Sequence, residues 1–275
     1  MATSTTKEPI HVICYGDTGT GKSTFGATFP TPGLIFQFDP LDKSGPYLRS
    51  GRPQERQEGE FGPFRDVLMN KKDELKWRVE YFHDMEMGKI GKKGRPDGIS
   101  AYRRFRNRVD RLYDELDQWR TIIVDSTTYM ELAARKFEQY VLNADAVGQG
   151  KQQWWAGSTE TMEEMLMCVF ANFPCNVVVI AHLAPDKKRV KTGADNLVLS
   201  LNAPGRLGRT LPTGYGESYH AYVQEDDNDQ AQFWLQTRSN DEFFAGSQIQ
   251  APNPCAPNYK ALWVPETAAV TADPS

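Results

Sequence analysis

The sequence predicts an α/β protein that has a mostly parallel central sheet, helices on the faces of that sheet and a C-terminal β-hairpin. Apolar runs typical of buried strands occur at 10–15, 33–39, 121–125 and 176–182. Segments with helical periodicity lie at 102–119, 128–142 and 158–173. Strands that alternate with helices in this way form parallel sheets. Two further alternating segments, 219–224 and 232–238, flank an acidic turn and predict the hairpin.

Length and composition restrict the domain organisation. With 275 residues and 39% apolar content, the chain is expected to form one large domain, or one domain with an insertion. We expect a flexible N-terminus over 1–8, a core over 9–250 and a loosely ordered tail over 251–275. Within the core, 49–97 is expected to be a surface excursion that includes a basic, glycine-containing loop.

The charge balance and the distribution of apolar residues exclude several classes of protein. The net charge of −4 excludes a uniformly basic nucleic-acid binder, so any contact with a polyanion must come from a local cluster. The four cysteines show no C-x-x-C spacing, which favours reduced, packed thiols over a zinc site. No apolar run approaches the roughly 20 residues of a membrane span, and 1–7 lacks an apolar signal segment. We therefore expect no membrane partner and a cytoplasmic location.

A glycine-rich motif directly follows the first predicted strand. Its sequence, GDTGTGKS, matches the phosphate-loop pattern G-x-x-x-x-G-K-[ST]. The glycines permit turns that point successive N–H groups at phosphate oxygens, while the lysine reaches the β- and γ-phosphates and the serine hydroxyl holds Mg²⁺. The sequence therefore predicts a site for a nucleoside triphosphate with Mg²⁺. The predicted binding residues are Gly16, Asp17, Thr18, Gly19, Thr20, Gly21, Lys22, Ser23 and Thr24.

Acidic residues stand at the ends of two other predicted strands. Asp39 ends the second strand, Asp42 follows it in a loop, and Asp125 ends the run TIIVD. Ligands of parallel α/β sheets bind at the carboxyl ends of the strands, so we expect these acids to lie near the triphosphate. Asp125 is expected to orient the hydration shell of Mg²⁺. For Asp39 and Asp42, capping or turn chemistry is an equally good explanation.

A histidine and several basic residues follow the last apolar strand. His182 ends the run NVVVIAH, where its ring could hydrogen-bond a γ-phosphate or, equally well, a neighbouring carbonyl. The segment 184–195 is basic and is a candidate surface for nucleic-acid phosphates. The arginines within 103–111 offer a second such surface, although a solvated helix face is the more ordinary explanation. The candidate DNA-binding residues are Lys187, Lys188, Arg189, Lys191, Arg206 and Arg209.

The order of these motifs resembles the RecA-like core of strand-exchange and hexameric-helicase ATPases. The resemblance rests on GDTGTGKS, on the strand with Asp39, on IIVD125-S, on VVVIAH182 with the basic segment after it, and on the hairpin that ends in QTR238. Within that group, the chain is most similar to phage-encoded RecA-like proteins of the single-strand-annealing type. The likeness extends from about residue 9 to about residue 250.

This resemblance implies ATP and Mg²⁺ as cofactors and a role for each residue of the phosphate site. Lys22 and Ser23 would bind phosphates and Mg²⁺, and Asp125 would support the metal. The family's water-activating residue is commonly glutamate, whereas this chain offers only Asp39 or Asp42 for that role. Because aspartate is one methylene shorter, slow hydrolysis is expected, or another residue acts as the base.

The resemblance also implies assembly and a nucleic-acid partner. His182 stands where RecA-like proteins carry a γ-phosphate sensor that leads into a DNA-binding segment. Arg238 matches a hairpin cation that reaches the nucleotide of a neighbouring subunit, which implies a homo-oligomer in the form of a filament or a ring. The implied function is assembly on single-stranded DNA and promotion of annealing or homologous recombination in the cytoplasm of a phage's host. A single-strand-binding protein is a further candidate partner.

Three other functions compete with this interpretation. A helicase-type or packaging-type DNA motor subunit would share the same core. A nucleotide or small-molecule kinase would need an arginine-bearing lid, for which 85–111 is the candidate segment. A GTPase-like switch is suggested by D-x-x-G at 42–45 and N-K-x-D at 70–73, although the spacing between the two is too short.

Overall fold

The structure is a computed structural model that describes residues 8–40, 45–54, 56–61, 64–83, 101–142, 151–189, 195–201, 207–240 and 243–263. Its strands are β1 (His11–Gly16), β2 (Gly33–Gln37), β3 (Arg52–Pro53), β4 (Gln57–Glu58), β5 (Phe64–Met69), β6 (Leu75–Tyr81), β7 (Thr121–Asp125), β8 (Asn176–Arg189), β9 (Asp195–Leu201), β10 (Glu217–Glu225), β11 (Ala231–Gln236) and β12 (Gly246–Ser247). The α-helices are α1 (Lys22–Gly26), α2 (Gly45–Arg49), α3 (Ala101–Leu112), α4 (Thr127–Phe137), α5 (Lys151–Glu163) and α6 (Leu207–Thr210).

Parallel strands form the centre of one sheet. The strand order is β11-β10-β1-β8-β7-β2-β6-β5-β3, and every neighbouring pair from β10 to β6 is parallel. Antiparallel strands β11 and β5 flank this parallel region, so the predicted mostly parallel α/β fold and its C-terminal hairpin are confirmed. Strand β8 lies between β1 and β7. β1 leads into the glycine motif, and β7 ends in Asp125. In the described part of the chain, no helix is both long and apolar enough to cross a bilayer.

The central strands are buried on both faces because their side chains alternate between two apolar layers. In β8, Val177 and Val179 pack into one layer, which includes residues of α3, α4 and α5. Val178 and Ile180 pack into the other, which includes Phe25 of α1 and Tyr47 of α2. This burial explains why the central strands are continuous apolar runs rather than alternating ones.

The expected surface excursion over 49–97 is wrong in part. Residues 64–81 form the β5–β6 hairpin, and β6 is an internal strand that pairs with β2 on one side and β5 on the other. The sequence suggested an exposed segment because β5 carries charge, but its Asp66 is buried and accepts hydrogen bonds from Arg56 and Tyr81. The predicted basic loop lies at 84–97, outside the described residues.

The C-terminal segment is also more ordered than expected. Over 251–263 the chain packs on the α1 side of the sheet, where Ala251, Cys255 and Leu262 are buried. Backbone hydrogen bonds join Cys255 to Leu235 of β11 in both directions, at 2.8 and 3.0 Å. The expected loose tail is therefore wrong for 251–263, because these apolar side chains complete the core beside α1. The end of that tail, 264–275, and most of the expected flexible N-terminus, 1–7, lie outside the described residues.

Two paired strands follow His182 in the described residues. His182 is the last residue of β8 that pairs with β1, and the strand then continues to Arg189. Over Leu183–Arg189 it pairs in antiparallel register with β9. The predicted basic segment 184–195 therefore begins within β8 and ends at the first residue of β9.

A buried ion pair joins α3 to β6. Arg108 is 1% exposed, and its Nε donates to Glu80 Oε2 at 2.9 Å while its Nη2 donates to Glu115 at 2.8 Å. Burial raises the pKa of Glu80, and Arg108 opposes that rise. Arg108 is one of the arginines within 103–111 that offered a candidate surface for phosphates. In the structure, its side chain is buried in ion pairs with Glu80 and Glu115.

We predict that Arg108→Ala lowers the free energy of unfolding by about 3–5 kcal/mol, because it leaves the Glu80 carboxylate buried without a counter-charge. Urea unfolding followed by circular dichroism measures this loss. The matched control is Arg111→Ala on the same helix, whose ion pair with Glu60 is more than half exposed on both side chains. That control should lose less than about 1 kcal/mol. Equal losses in the two variants would contradict the assignment.

Candidate active site

Four chain segments converge at the carboxyl edge of the parallel strands. Gly16 at the end of β1 pairs in register with His182 of β8. Asp125 at the end of β7 pairs with Gln37 of β2, and Asp39 follows two residues later. Because β8 lies between β1 and β7, the glycine motif, His182 and the two acids share one edge.

The glycine motif forms a closed loop around the ammonium group of Lys22. Lys22 Nζ donates to the backbone oxygens of Gly16 at 2.9 Å and Asp17 at 2.5 Å. Gly19 and Gly21 have φ values of 88° and 83°, in the left-handed region that glycine tolerates best. The helix predicted to follow the loop is α1, which begins at Lys22. The loop therefore has the backbone conformation that the phosphate-loop pattern predicts, with Asp17, Gly19 and Thr24 exposed at its surface.

Ser23 and Asp125 are joined by a direct hydrogen bond. The Ser23 hydroxyl donates to Asp125 Oδ2 at 2.7 Å, although the two residues lie far apart in the chain. A second hydroxyl, from the buried Tyr47 of α2, donates to the same oxygen at 2.7 Å. Asp125 is 2% exposed, so these donors provide much of the polar contact that its carboxylate needs.

Asp39 forms a second acidic centre beside Asp125. Its Oδ1 accepts hydrogen bonds from the backbone N–H and the hydroxyl of Ser126, at 3.1 and 2.5 Å. His182 Nε2 lies 3.7 Å from Asp39 Oδ2, within ion-pair distance when the imidazole is protonated. The peptide bond between Asp125 and Ser126 is cis. Of the two predicted candidates for water activation, Asp39 lies in the site, and Asp42 lies outside the described residues.

Burial dominates the electrostatics of the site. Burial, together with the nearby charge of Asp39, raises the pKa of Asp125 to about 6. Burial also lowers the pKa of Lys22, although Asp125 and Asp39 favour its charged form. Two carboxylates this close in a poorly solvated site repel one another, so a cation that binds between them and a phosphate would be stabilised.

The oxygen atoms at this edge suit Mg²⁺. Hydroxyl and carboxylate oxygens are the ligands Mg²⁺ prefers, and it is usually held by one or two protein groups together with substrate phosphates. Ser23 and Asp125 supply such a pair, and the described residues contain no cluster of three or more His, Cys, Asp or Glu that would hold a metal by itself. The donor set therefore fits a metal that binds together with a nucleotide.

The structure brings together only part of the predicted residue set. Lys22, Ser23, Asp39, Asp125 and His182 form one site. Arg238 lies exposed just after β11. The side chains of Lys187, Lys188, Arg189 and Arg209 lie outside the described part of the structure, as do Lys191 and Arg206 entirely.

Sequence reasoning missed Tyr47 as a member of the site. It lies within SGPYLR, where no recognised motif, strand end or periodic pattern marks it. Its position follows from the packing of α2 against α1 and the sheet. Ser126 belongs to the motif IIVD125-S, although the sequence assigned no role to it.

The GTPase alternative does not fit the topology. The N-K-x-D match at 70–73 forms the turn between β5 and β6. Because β6 runs parallel to β2, this turn lies at the amino edge of the parallel strands, opposite the glycine loop. It therefore lies too far away to recognise a base of the nucleotide held there. The kinase alternative also loses support, since Arg108, one of the arginines of its proposed lid, is buried in an ion pair.

We predict that Asp125→Asn stabilises the nucleotide-free protein at pH 8. The pKa of Asp125 in the fold is above its unfolded value, so ionisation disfavours the fold, and this cost grows as pH rises from about 4 through about 6. The gain over wild type should be about 1–3 kcal/mol at pH 8 and should shrink toward pH 4. Chemical unfolding at pH 4, 6 and 8 measures it.

Asp117→Asn, a substitution at an exposed position, is the matched control and should show no such pH-dependent gain. Adding ATP and Mg²⁺ should stabilise the wild type more than Asp125→Asn. An Asp125→Asn variant that is less stable than wild type at pH 8 would contradict the assignment.

Comparison with known proteins identifies a family for the chain. No curated protein matches the chain. Among solved structures, it is similar to a prototypical ATPase from the type III secretion system of pathogenic bacteria, with 9% sequence identity and a TM-score of 0.45. That alignment covers 78% of this chain and 52% of the other, so this chain spans about half the length of that structure. A family described as AAA domain matches residues 8–249. Because this match covers most of the sequence, the chain belongs to the AAA domain family AAA_24 of P-loop NTPases.

Proposed function

We propose that this protein hydrolyses ATP with Mg²⁺ and uses the bound nucleotide to assemble on single-stranded DNA, where it promotes annealing or homologous recombination. One observation carries the proposal. Strand β8 ends its pairing with β1 at His182, beside the glycine loop and Asp39, and continues directly into the hairpin that carries the basic segment. The presence of a γ-phosphate and the position of a basic arm are thereby linked through one strand.

Each residue at the edge has a defined task in hydrolysis. The Lys22 ammonium neutralises the β- and γ-phosphates, and the loop N–H groups orient them. When bound, Mg²⁺ neutralises charge that develops on the phosphate oxygens. The Ser23 hydroxyl, which donates its proton to Asp125, would hold that metal through its oxygen together with Asp125. Asp39 is the described carboxylate placed to orient an attacking water, because Ser126 holds its Oδ1 and leaves Oδ2 on the side of His182.

The hairpin supplies the proposed DNA contact. In its first strand, Lys187, Lys188 and Arg189 pair with Leu197, Asn196 and Asp195 of β9, at the end distant from the nucleotide site. Basic residues on a two-stranded hairpin can follow the phosphates of a flexible strand without a preformed duplex groove. Loss of the γ-phosphate would first change the contacts of His182, which directly precedes this hairpin.

Assembly is the third part of the proposal. Arg238 follows β11 at an exposed position. In the proposed assembly, this cation reaches the nucleotide of the next subunit, as the resemblance to RecA-like proteins implies. A homo-oligomer, as a filament or a ring, would then complete each site across a subunit boundary. We place this activity in a phage-infected cell, with a single-strand-binding protein as a further partner.

We predict that Lys22→Ala abolishes ATP binding, because the loop carbonyls would then face the phosphates without a neutralising ammonium. Isothermal titration calorimetry with ATP and Mg²⁺ measures this change. Lys136→Ala, which removes a basic residue from the last turn of α4, is the matched control and should keep wild-type affinity. Unchanged affinity in Lys22→Ala would remove the nucleotide site assignment.

We predict that single-stranded DNA stimulates ATPase activity and that Lys187→Ala/Lys188→Ala/Arg189→Ala abolishes this stimulation. Each lost phosphate contact should reduce the slope of log affinity against log salt by about 0.7. Fluorescence anisotropy over a range of salt concentrations measures that slope. Lys71→Ala/Lys72→Ala, at exposed positions on the opposite edge of the sheet, is the control and should keep the wild-type slope.

Two outcomes would redirect the proposal. An unchanged slope in the triple variant would exclude the hairpin as the DNA contact. ATP-driven strand unwinding by the wild type would favour a motor subunit over an annealing protein.

A further inference from the structure

We propose that Tyr47 is a positioning residue for nucleotide-dependent Mg²⁺ binding, through its hydrogen bond to Asp125. This inference rests on the proposed function. Among the described residues, Tyr47 and Ser23 are the side chains that donate a hydrogen bond to the Asp125 carboxylate. No sequence motif points to this tyrosine, and it reaches the site from a helix that lies outside the phosphate loop.

The geometry of the contact is specific. Tyr47 is 0% exposed, and its hydroxyl lies 2.7 Å from Asp125 Oδ2, the same distance as the Ser23 hydroxyl. A buried phenol hydroxyl without an acceptor would destabilise the fold. The hydrogen bond therefore satisfies both the Tyr47 hydroxyl and the Asp125 carboxylate. A phenylalanine would fill the same apolar space beside Trp77, whose ring centroid lies 6.5 Å from that of Tyr47. The hydroxyl is therefore the part of Tyr47 that packing alone does not require.

Two donors on one oxygen fix the rotation of the carboxylate. With Oδ2 held by Tyr47 and Ser23, Oδ1 is the oxygen that we expect to face the hydration shell of a bound metal. Loss of a group that hydrogen-bonds a metal-ligating side chain commonly lowers metal affinity by about 10–100-fold. Without Tyr47, Ser23 would be left as the only described side-chain donor, and the carboxylate could turn about that single contact.

The position of Tyr47 in the chain adds a second consequence. It lies in α2, which follows the segment that leaves β2 through Asp39. The hydrogen bond therefore fastens α2 to the end of β7. The bonds of Ser126 to Asp39 separately hold the two acids of the proposed site close to one another.

Tyr81→Phe is the matched control for Tyr47→Phe. Tyr81 is also fully buried, and its hydroxyl also donates to an aspartate, Asp66 Oδ2, at 2.7 Å. Both variants remove one buried tyrosine–aspartate hydrogen bond and keep the ring. Similar losses of thermal stability are therefore expected, and only one variant should affect the metal.

The test measures ADP affinity by calorimetry, once with Mg²⁺ and once with EDTA, in the wild type and both variants. In Tyr47→Phe, we expect the ratio of ADP affinity with Mg²⁺ to ADP affinity in EDTA to fall about tenfold. The ADP affinity in EDTA should stay within about twofold of the wild-type value. The Mg²⁺ concentration that half-saturates ATPase activity should rise by a similar factor. Tyr81→Phe should match the wild type in each measurement.

Three results would overturn the inference. One is an equal gain from Mg²⁺ in Tyr47→Phe and Tyr81→Phe. Another is a loss of ADP affinity in EDTA for Tyr47→Phe, which would make the tyrosine a support of the loop rather than of the metal. A wild type whose ADP affinity does not respond to Mg²⁺ would overturn the metal assignment in the proposed function and, with it, the role of Tyr47.

Discussion

The burial of two carboxylates at one edge of the sheet is the constraint on which the rest of the site depends. Asp125 and Asp39 are nearly inaccessible to solvent, and each would be strongly unfavourable there as an isolated charge. Hydroxyl groups of Ser23, Tyr47 and Ser126 donate hydrogen bonds to these carboxylates and lower this cost. Even with these donors, burial and mutual repulsion keep the pKa of Asp125 high, so the free site is short of positive charge. A metal bound together with a phosphate would supply that positive charge.

The same constraint explains the state of the glycine loop. Lys22 is 5% exposed and is retained among backbone oxygens of its own loop, so the ammonium already lies where phosphate oxygens would meet it. Burial lowers the pKa of this lysine, while the two acids favour its charged form. A bound phosphate and metal would form one coupled electrostatic unit with these three charged side chains. A change in any of these groups should alter the electrostatics of the others, so matched controls outside this unit are informative.

The position of β8 between β1 and β7 connects the site to a second strand pair. The part of β8 that pairs with β1 is among the most buried parts of the described chain, with Val177, Val178 and Val179 fully inaccessible. Beyond His182, the described residues of the same strand pair with β9. One continuous strand therefore joins the nucleotide edge to the β8–β9 hairpin. In the proposed function, that hairpin meets DNA.

Several elements and site residues could be predicted from the sequence because they depend on local chemistry. The phosphate loop, the strand ends at Asp39, Asp125 and His182, and the C-terminal hairpin were all predicted, because glycine spacing, apolar runs and turn composition act within a few residues. Which strands are neighbours and which distant side chains meet could be learned only from the folded chain. The internal position of β6, the packing of 251–263 and the hydrogen bond of Tyr47 to Asp125 all arise from contacts between segments far apart in the chain. Such contacts leave no periodic or compositional signal, since they are selected by the shape and polarity of the folded interior.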